Sequence, residues 1–228
     1  ERLTADGMRV LAVDLEPADD GGPGEPFAAD LATRAGNRAA VDAARERFGG
    51  RLDAVIANAG FQHVDPIADF PEDQWDGLIA LLLTSPFLLA KYAWQALAEA
   101  PDARFIGIAS AHGLVASPYK SAYVSAKHGL LGLIKTLALE GAEQGILATA
   151  VCPGFVRTPL VESQIAQQAK AHGKPPDTVL EDVILAPHAV KRLIEPDEVA
   201  NVVAFLMGEG GRAFSGVPVT MDLGWTAR

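Results

Sequence analysis

The chain has 228 residues, 49% apolar and 21% charged, a composition suited to one globular domain with a full core. Its net charge of −10 excludes general nucleic-acid binding, which needs a basic surface, so an anionic ligand must be met by local cations such as Lys120, Lys127 or Arg157. The single cysteine, Cys152, excludes an internal disulfide and suits a reducing, cytoplasmic compartment; at the end of an apolar run it reads as a small buried side chain.

Strand-like and helix-like segments alternate along the chain. MRVLAVDL (8–15) is an apolar, β-rich run with Asp14 near its end, followed by the irregular Gly/Pro stretch EPADDGGPGEPF and by ADL at 29–31. Residues 34–48 have helical character and stop at Gly49-Gly50, and RLDAVIANAG (51–60) reads as a buried strand ending in a small-residue turn. A long helix is predicted from about Pro71 to Ala98. Its segment 78–97, LIALLLTSPFLLAKYAWQAL, mimics a membrane span, but Thr84, Ser85 and Pro86 interrupt it and Lys91 lies within it. A span wants about 20 mostly apolar, uncharged residues. A helix buried against a sheet or a partner subunit is the better reading, and no membrane association is expected. No basic region followed by an apolar one opens the chain, so no signal peptide is visible.

A strand at 104–109, a helix holding Tyr123 and a strand at 146–154 come next. A polar, proline-broken region at 158–194, a helix at 196–208 and a last strand at 216–221 complete the order. Ser117-Pro118 has the form of an N-cap followed by proline at the first helical position. Strands separated by helices of these lengths imply right-handed crossovers, hence an α/β, doubly wound, Rossmann-like and mostly parallel sheet in one domain spanning 1–228.

Ser110, Tyr123 and Lys127 carry the chemistry. Tyr123 and Lys127 are four residues apart and project together from a helix, and Ser110 follows a predicted strand, where open α/β sheets place their sites. A cation beside a phenol is expected to favour the phenolate and lower its pKa from about 10, making the tyrosine a proton donor and acceptor near neutral pH. With a serine holding a substrate oxygen, the set points to carbonyl–alcohol redox chemistry. The five histidines lack metal-ligand spacing, so no metal site is predicted.

The order of these motifs resembles the short-chain dehydrogenase/reductase family almost from end to end. Asn58-Ala59-Gly60 matches its sheet-end turn beside the cofactor, Ser110, Tyr123 and Lys127 its catalytic residues, and Pro153-Gly154 with Val156 and Thr158 its nicotinamide-side loop. Asp14 stands where members that prefer NAD place an acid against the adenosine ribose: a carboxylate there accepts from the 2′-OH and repels a 2′-phosphate. Asp30-Leu31 resembles the pair flanking the adenine. Within the family, NAGFQHVDPI, SAHGLVAS, YKSAYVSAKHG, CPGFVRTPLVESQ and GWTAR resemble the bacterial branch that oxidises D-3-hydroxybutyrate. In that branch the positions of Gln62, Ser110, His112, Lys120, Tyr123, Gln164 and Trp225 surround the substrate, whereas His63 reads as a loop residue. The resemblance implies NAD as cofactor, a small hydroxy acid as substrate, a lid at about 158–194, and a homo-oligomer, a tetramer, built on the long helix near 71–98 and the helix near Ser117.

Two departures stand out. In the family the glycine-rich loop precedes the ribose-reading acid by about 20 residues, which places it before Glu1. The chain is thus expected to lack the first strand, the phosphate-binding glycines and most of the first helix; a misassigned start or a cleavage accounts for this more simply than a natural truncation. Leu82 replaces the asparagine that usually helps hold a water in the proton relay. Three readings stay open: an NAD-dependent dehydrogenase of a short 3-hydroxy acid, a dehydrogenase of another small hydroxy compound, and a non-catalytic oligomeric family member.

Overall fold

The strand runs 103–108 and 146–153 are almost wholly buried because, apart from Arg104 and Thr149, their residues are apolar or small. In the computed structural model, which describes residues 1–17, 22–162, 165, 169, 173 and 175–227, the strands form two parallel sheets. The larger has β3 (Ala54–Ala57), β4 (Ala103–Ile108), β5 (Ile146–Pro153) and β6 (Pro218–Met221) in that spatial order. Val55 pairs with Phe105, Ile106 with Thr149 and Val151 with Val219. The smaller sheet pairs β1 (Leu11–Asp14) with β2 (Glu25–Ala28), Leu11 opposite Glu25. β1 and β3 do not pair; residues of both line one cleft of about 1580 Å³, as expected for a doubly wound sheet without an interior strand.

β2 lies inside the stretch read from sequence as irregular. Proline disguised it: Pro26 cannot donate to a ladder, but β2 pairs only with β1 among the described residues, and an edge strand tolerates this. The one-turn helix α1 (Arg2–Ala5) precedes β1, and α2 (Arg34–Arg47) follows β2. Thr33 caps α2 by accepting from the Gly36 N–H at 3.0 Å. One turn on, the buried Asn37 donates to the carbonyls of Leu31 and Thr33, both at 2.7 Å, and accepts from the Ser85 hydroxyl at 2.7 Å.

The long helix runs as α3 (Glu72–Ile79), a π-helical turn (Ala80–Thr84) and α4 (Ser85–Ala98). The helix thus continues through Thr84, Ser85 and Pro86, as the predicted span from about Pro71 to Ala98 requires. Pro86 has no N–H for the Leu82 carbonyl and its ring crowds that group; the wider turn, in which the Ser85 N–H reaches the Ala80 carbonyl, absorbs the conflict. At 27 residues, Glu72–Ala98 is long and apolar enough to cross a membrane by length and composition. Here Leu88, Ala93 and Leu97 are buried and α4 packs on α2, β3 and β4.

α5 (Ser121–Gly141) starts later than Ser117-Pro118 predicted. Tyr119 adopts a left-handed backbone, φ +67°, so no helix can pass through it, and Lys120 occupies the cap. Ser117 instead pairs with His112 Nε2 at 2.9 Å. α5 packs chiefly on β5, and its side chains also reach β4 where Gly107 has none: a Cβ there would stand 3.2 Å from Ile134 Cδ1. The described part of 158–194 contains α6 (Pro176–Val179) and a π-helical turn (Leu180–Ile184). Although it reads as polar, Val161, Val179, Ile184 and Leu193 form an apolar cluster with Phe155 and Trp225. α7 (Pro196–Met207) is held by a reciprocal Glu195–Glu198 capping box.

Asn37 joins the turn before α2 to α4. Asn37→Val leaves two carbonyls and a buried hydroxyl without their partner and is expected to cost about 2–3 kcal/mol in urea unfolding, against about 1 kcal/mol for Ser85→Ala. Equal, negligible losses would show the link to be idle.

Candidate active site

β4 ends at Ile108, and the chain then opens into a loop of small residues. Ser110 Oγ accepts the His112 N–H at 3.1 Å and so caps a short 3₁₀ turn, Ala111–Gly113. Across from it, α5 presents Tyr123 and Lys127 from one face, one turn apart. The Tyr123 phenol is hydrogen-bonded with Ser110. Lys127 Nζ donates to the Ile108 carbonyl at 2.7 Å and lies 5.5 Å from the Tyr123 ring centroid. The structure thus brings the three residues together.

Their electrostatics differ from the sequence expectation in one respect. Burial lifts the Tyr123 phenol above its ordinary value and the bond with Ser110 offsets this only in part. Lys127 does not depress it here, because its ammonium is turned to the Ile108 carbonyl and burial pushes Lys127 itself down to about 8. The phenol is therefore protonated at neutral pH, ready to donate to a carbonyl, and becomes a base as the pH rises.

Beside this pair is a cavity of about 30 Å³ lined by Gln62, Ser110, His112, Lys120, Tyr123, Gly154, Phe155 and Trp225. Six of the seven residues expected around a substrate meet there; the seventh, Gln164, lies outside the described residues. Gln62 Oε1 accepts from the His63 N–H at 3.2 Å, which leaves the amide NH₂ as the donor. His63, read as a loop residue, pairs with Asp65 at 2.5 Å. His112 is held neutral, first by burial and then by the Lys120 charge. Lys120 is 2% exposed, burial pushes it down to about 7, and its Nζ sits 4.7 Å from the Phe155 ring centroid.

Trp225 stacks on Phe155 with centroids 5.5 Å apart and planes at 5°. Its turn is fixed by the Asp222 carboxylate, which accepts from the Gly224 N–H at 3.0 Å and the Thr226 N–H at 2.7 Å. Phe155 was not among the sequence candidates. Its signal was an aromatic directly after the Pro153-Gly154 turn, between residues already singled out.

The large cleft continues from this cavity. Asp14, Leu31, Asn58, Ala59, Gly60, Tyr123, Lys127, Pro153, Gly154, Val156 and Thr158 all line it. Asp30 does not: its carboxylate accepts the Ala32 N–H at 2.9 Å and closes its own turn, so the expected Asp30-Leu31 pair contributes only Leu31. The donor set fits a dinucleotide at its two ends, with a carboxylate, Asp14, at one and a lysine, two hydroxyls and a side-chain-free Gly154 at the other.

With this geometry in view, known proteins give a consistent comparison. The family model described as enoyl-(acyl carrier protein) reductase matches residues 1–226. The chain belongs to the short-chain dehydrogenase/reductase family of oxidoreductases. The D-beta-hydroxybutyrate dehydrogenase of Rhizobium meliloti is 47% identical over 183 residues, 80% of this chain and 70% of that protein. Its namesake from Cupriavidus necator is 42% identical over 185 residues, 81% of this chain and 71% of that one. The structure of 4-hydroxyisoleucine dehydrogenase complexed with NADH shares the fold, with a TM-score of 0.81 at 23% identity over 99% of this chain and 91% of that one.

Leu82, read from the sequence as a departure from the family resemblance, lies in the π-helical turn, 2% exposed, packed with Leu78, Ala122 and Ala126 against Tyr123. Its Cδ2 would stand 2.8 Å from a Cβ at Gly60, so it fills the space over that glycine with hydrocarbon.

Lys120 provides a direct check on these electrostatics. In side-chain NMR of the free protein it is expected to titrate near pH 7 and to move upward when butyrate is added; a midpoint at the ordinary 10.5 would contradict the burial account.

Proposed function

We propose that the chain oxidises D-3-hydroxybutyrate, or a closely related short 3-hydroxy acid, to the keto acid with NAD as acceptor. One observation carries this reading: the buried cation Lys120 with the donors Gln62 and His112 shares a cavity of about 30 Å³ with the Ser110–Tyr123 pair. A carboxylate held by Lys120 and an oxygen held by the Ser110–Tyr123 pair are the two functional groups of a small hydroxy acid, and the Phe155–Trp225 stack walls its carbon chain. The names of the two relatives support the same substrate.

Ser110 donates to the substrate oxygen and fixes it. Oxidation needs Tyr123 in its ionised form: the phenolate Oη takes the hydroxyl proton as the C3 hydride leaves, so the alcohol carbon is oxidised by two electrons and the tyrosine ends as the neutral phenol, which is the proton donor for the reverse reduction. A nicotinamide bound in the cleft supplies the hydride acceptor. Lys127 lines that end of the cleft and would hold the nicotinamide ribose, its charge then favouring the ionised form of Tyr123. Asp14 is exposed in the cleft and selects NAD by accepting from a ribose 2′-OH and repelling a 2′-phosphate. The stretch 158–194 acts as a lid whose apolar cluster includes Trp225. We assign the chain to a cytoplasmic homotetramer; the exposed Phe87 on α4 and Leu139 on α5 support association through these helices. Leu82, apolar against Tyr123, favours a second reading in which the site binds but does not turn over.

An NADH absorbance assay decides between these readings. Oxidation of D-3-hydroxybutyrate is expected with NAD in preference to NADP, reduced about 10²–10⁴-fold by Tyr123→Phe. Asp14→Ala is expected to narrow the cofactor preference. Lys120→Met is expected to raise KM about 10–100-fold, the value of a charged hydrogen bond. In the wild type KM is expected to rise with pH above about 7, where Lys120 of the ligand-free protein loses its proton, and Lys120→Met is expected to remove that dependence. No oxidation with either cofactor, or turnover unaffected by Tyr123→Phe, would contradict the proposal.

A further inference from the structure

His188 has no place in the chemistry above, yet it is 1% exposed, and among the described residues neither ring nitrogen has a hydrogen-bond partner. A buried imidazole without partners costs free energy, so its position calls for an explanation other than stability. It stands edge-on to both members of the substrate wall. Its ring centroid is 5.8 Å from that of Phe155, at 90° between planes, and 5.6 Å from that of Trp225, at 86°. The stacked pair thus rests on His188 as well as on His112, whose ring meets Trp225 at 4.8 Å. His188 also occupies the space beside Gly154, where a Cβ would lie 2.9 Å from its Nε2.

The segment around it is tied to the turn that carries Trp225. The N–H groups of Ala189 and Val190 both donate to the Leu223 carbonyl, at 2.9 and 3.0 Å, and the His188 N–H donates to the Leu185 carbonyl at 3.1 Å. A carbonyl that accepts two backbone donors holds the Asp222–Trp225 turn at a fixed distance from His188. The imidazole does not line the small cavity itself. It fills the space behind the wall, and its volume sets how far the two rings can retreat.

Resting on the 3-hydroxy acid reading, we propose that His188 is a positioning residue that sets the depth of the substrate pocket and restricts it to short acyl tails by backing the Phe155–Trp225 stack. Truncating it leaves a void into which the rings relax, lengthening the pocket at its apolar end while Lys120, Gln62 and the Ser110–Tyr123 pair stay where they are. Phenylalanine keeps the ring volume and the backing. The consequence is a change in chain-length preference, which a loss of general stability does not produce.

The test compares wild type, His188→Ala and His188→Phe in two assays, kcat/KM for 3-hydroxybutyrate and 3-hydroxyhexanoate, and calorimetric binding of butyrate, pentanoate and hexanoate. His188→Ala is expected to raise the hexanoate-to-butyrate ratio at least about tenfold in both, the scale of an added methylene accommodated in a pocket. His188→Phe is expected to keep the wild-type ratio. Should the alanine variant fail to fold, His188→Val carries the same expectation. An equal loss on all lengths, or an unchanged ratio in a folded truncation, would overturn the proposal. Calorimetry separates the two claims: carboxylate binding without turnover contradicts the proposed reaction and leaves the length profile to decide the role of His188, whereas no carboxylate binding by wild type overturns both.

Discussion

The bond from Lys127 to the end of β4 is the constraint on which the rest of the site depends. Gly107 leaves room for Ile134, whose Cδ1 would lie 3.2 Å from a Cβ at that position, and Lys127, buried to 5% exposure, ties α5 to the strand end through the Ile108 carbonyl. Tyr123 sits one turn earlier on the same face, and Ser110 lies two residues beyond Ile108. Fixing helix against strand at one bond therefore fixes the phenol against the serine hydroxyl. The cost is electrostatic: the burial that holds the groups still also disfavours their charged forms.

That tension bears on the anion site proposed for an acidic chain. The net charge is −10, and the surface field opposes an acid substrate. In the proposed site Lys120 would meet a carboxylate from inside, beside Phe155, where burial has lowered it to about 7 and the anion would restore its proton. Packing fixes the wall beside it: Trp225 is stacked on Phe155 and its turn is held by Asp222.

Much of this was legible in the sequence, for identifiable reasons. β4 and β5 are apolar on both faces, so their runs are unbroken and read as central strands. The Tyr123–Lys127 spacing is local and survives in any helix. Signals that depend on tertiary context did not survive as well. β2 was hidden because proline is excluded from central strands but not from edges, and its edge position is set by pairing. The start of α5 was misplaced because Tyr119 takes a left-handed backbone that no local pattern announces. The direction of the Tyr123 shift was misjudged because the spacing places a lysine nearby without saying where its ammonium points. Phe155 and His188 are thirty-three positions apart in sequence and meet only through the turn carrying Trp225.

Transfer of deuterium tests the central claim most directly, that one site holds a 3-hydroxy acid by its carboxylate while Tyr123 takes the proton and C3 gives up its hydrogen. The chain is incubated with NAD and D-3-hydroxybutyrate deuterated at C3, and the reduced dinucleotide is analysed by mass spectrometry and NMR. The account predicts deuterium at C4 of the nicotinamide in the wild type, and none above background with Tyr123→Phe over the same time. Deuterium retained in the acid by the wild type, or lost to solvent without reaching the dinucleotide, would contradict it.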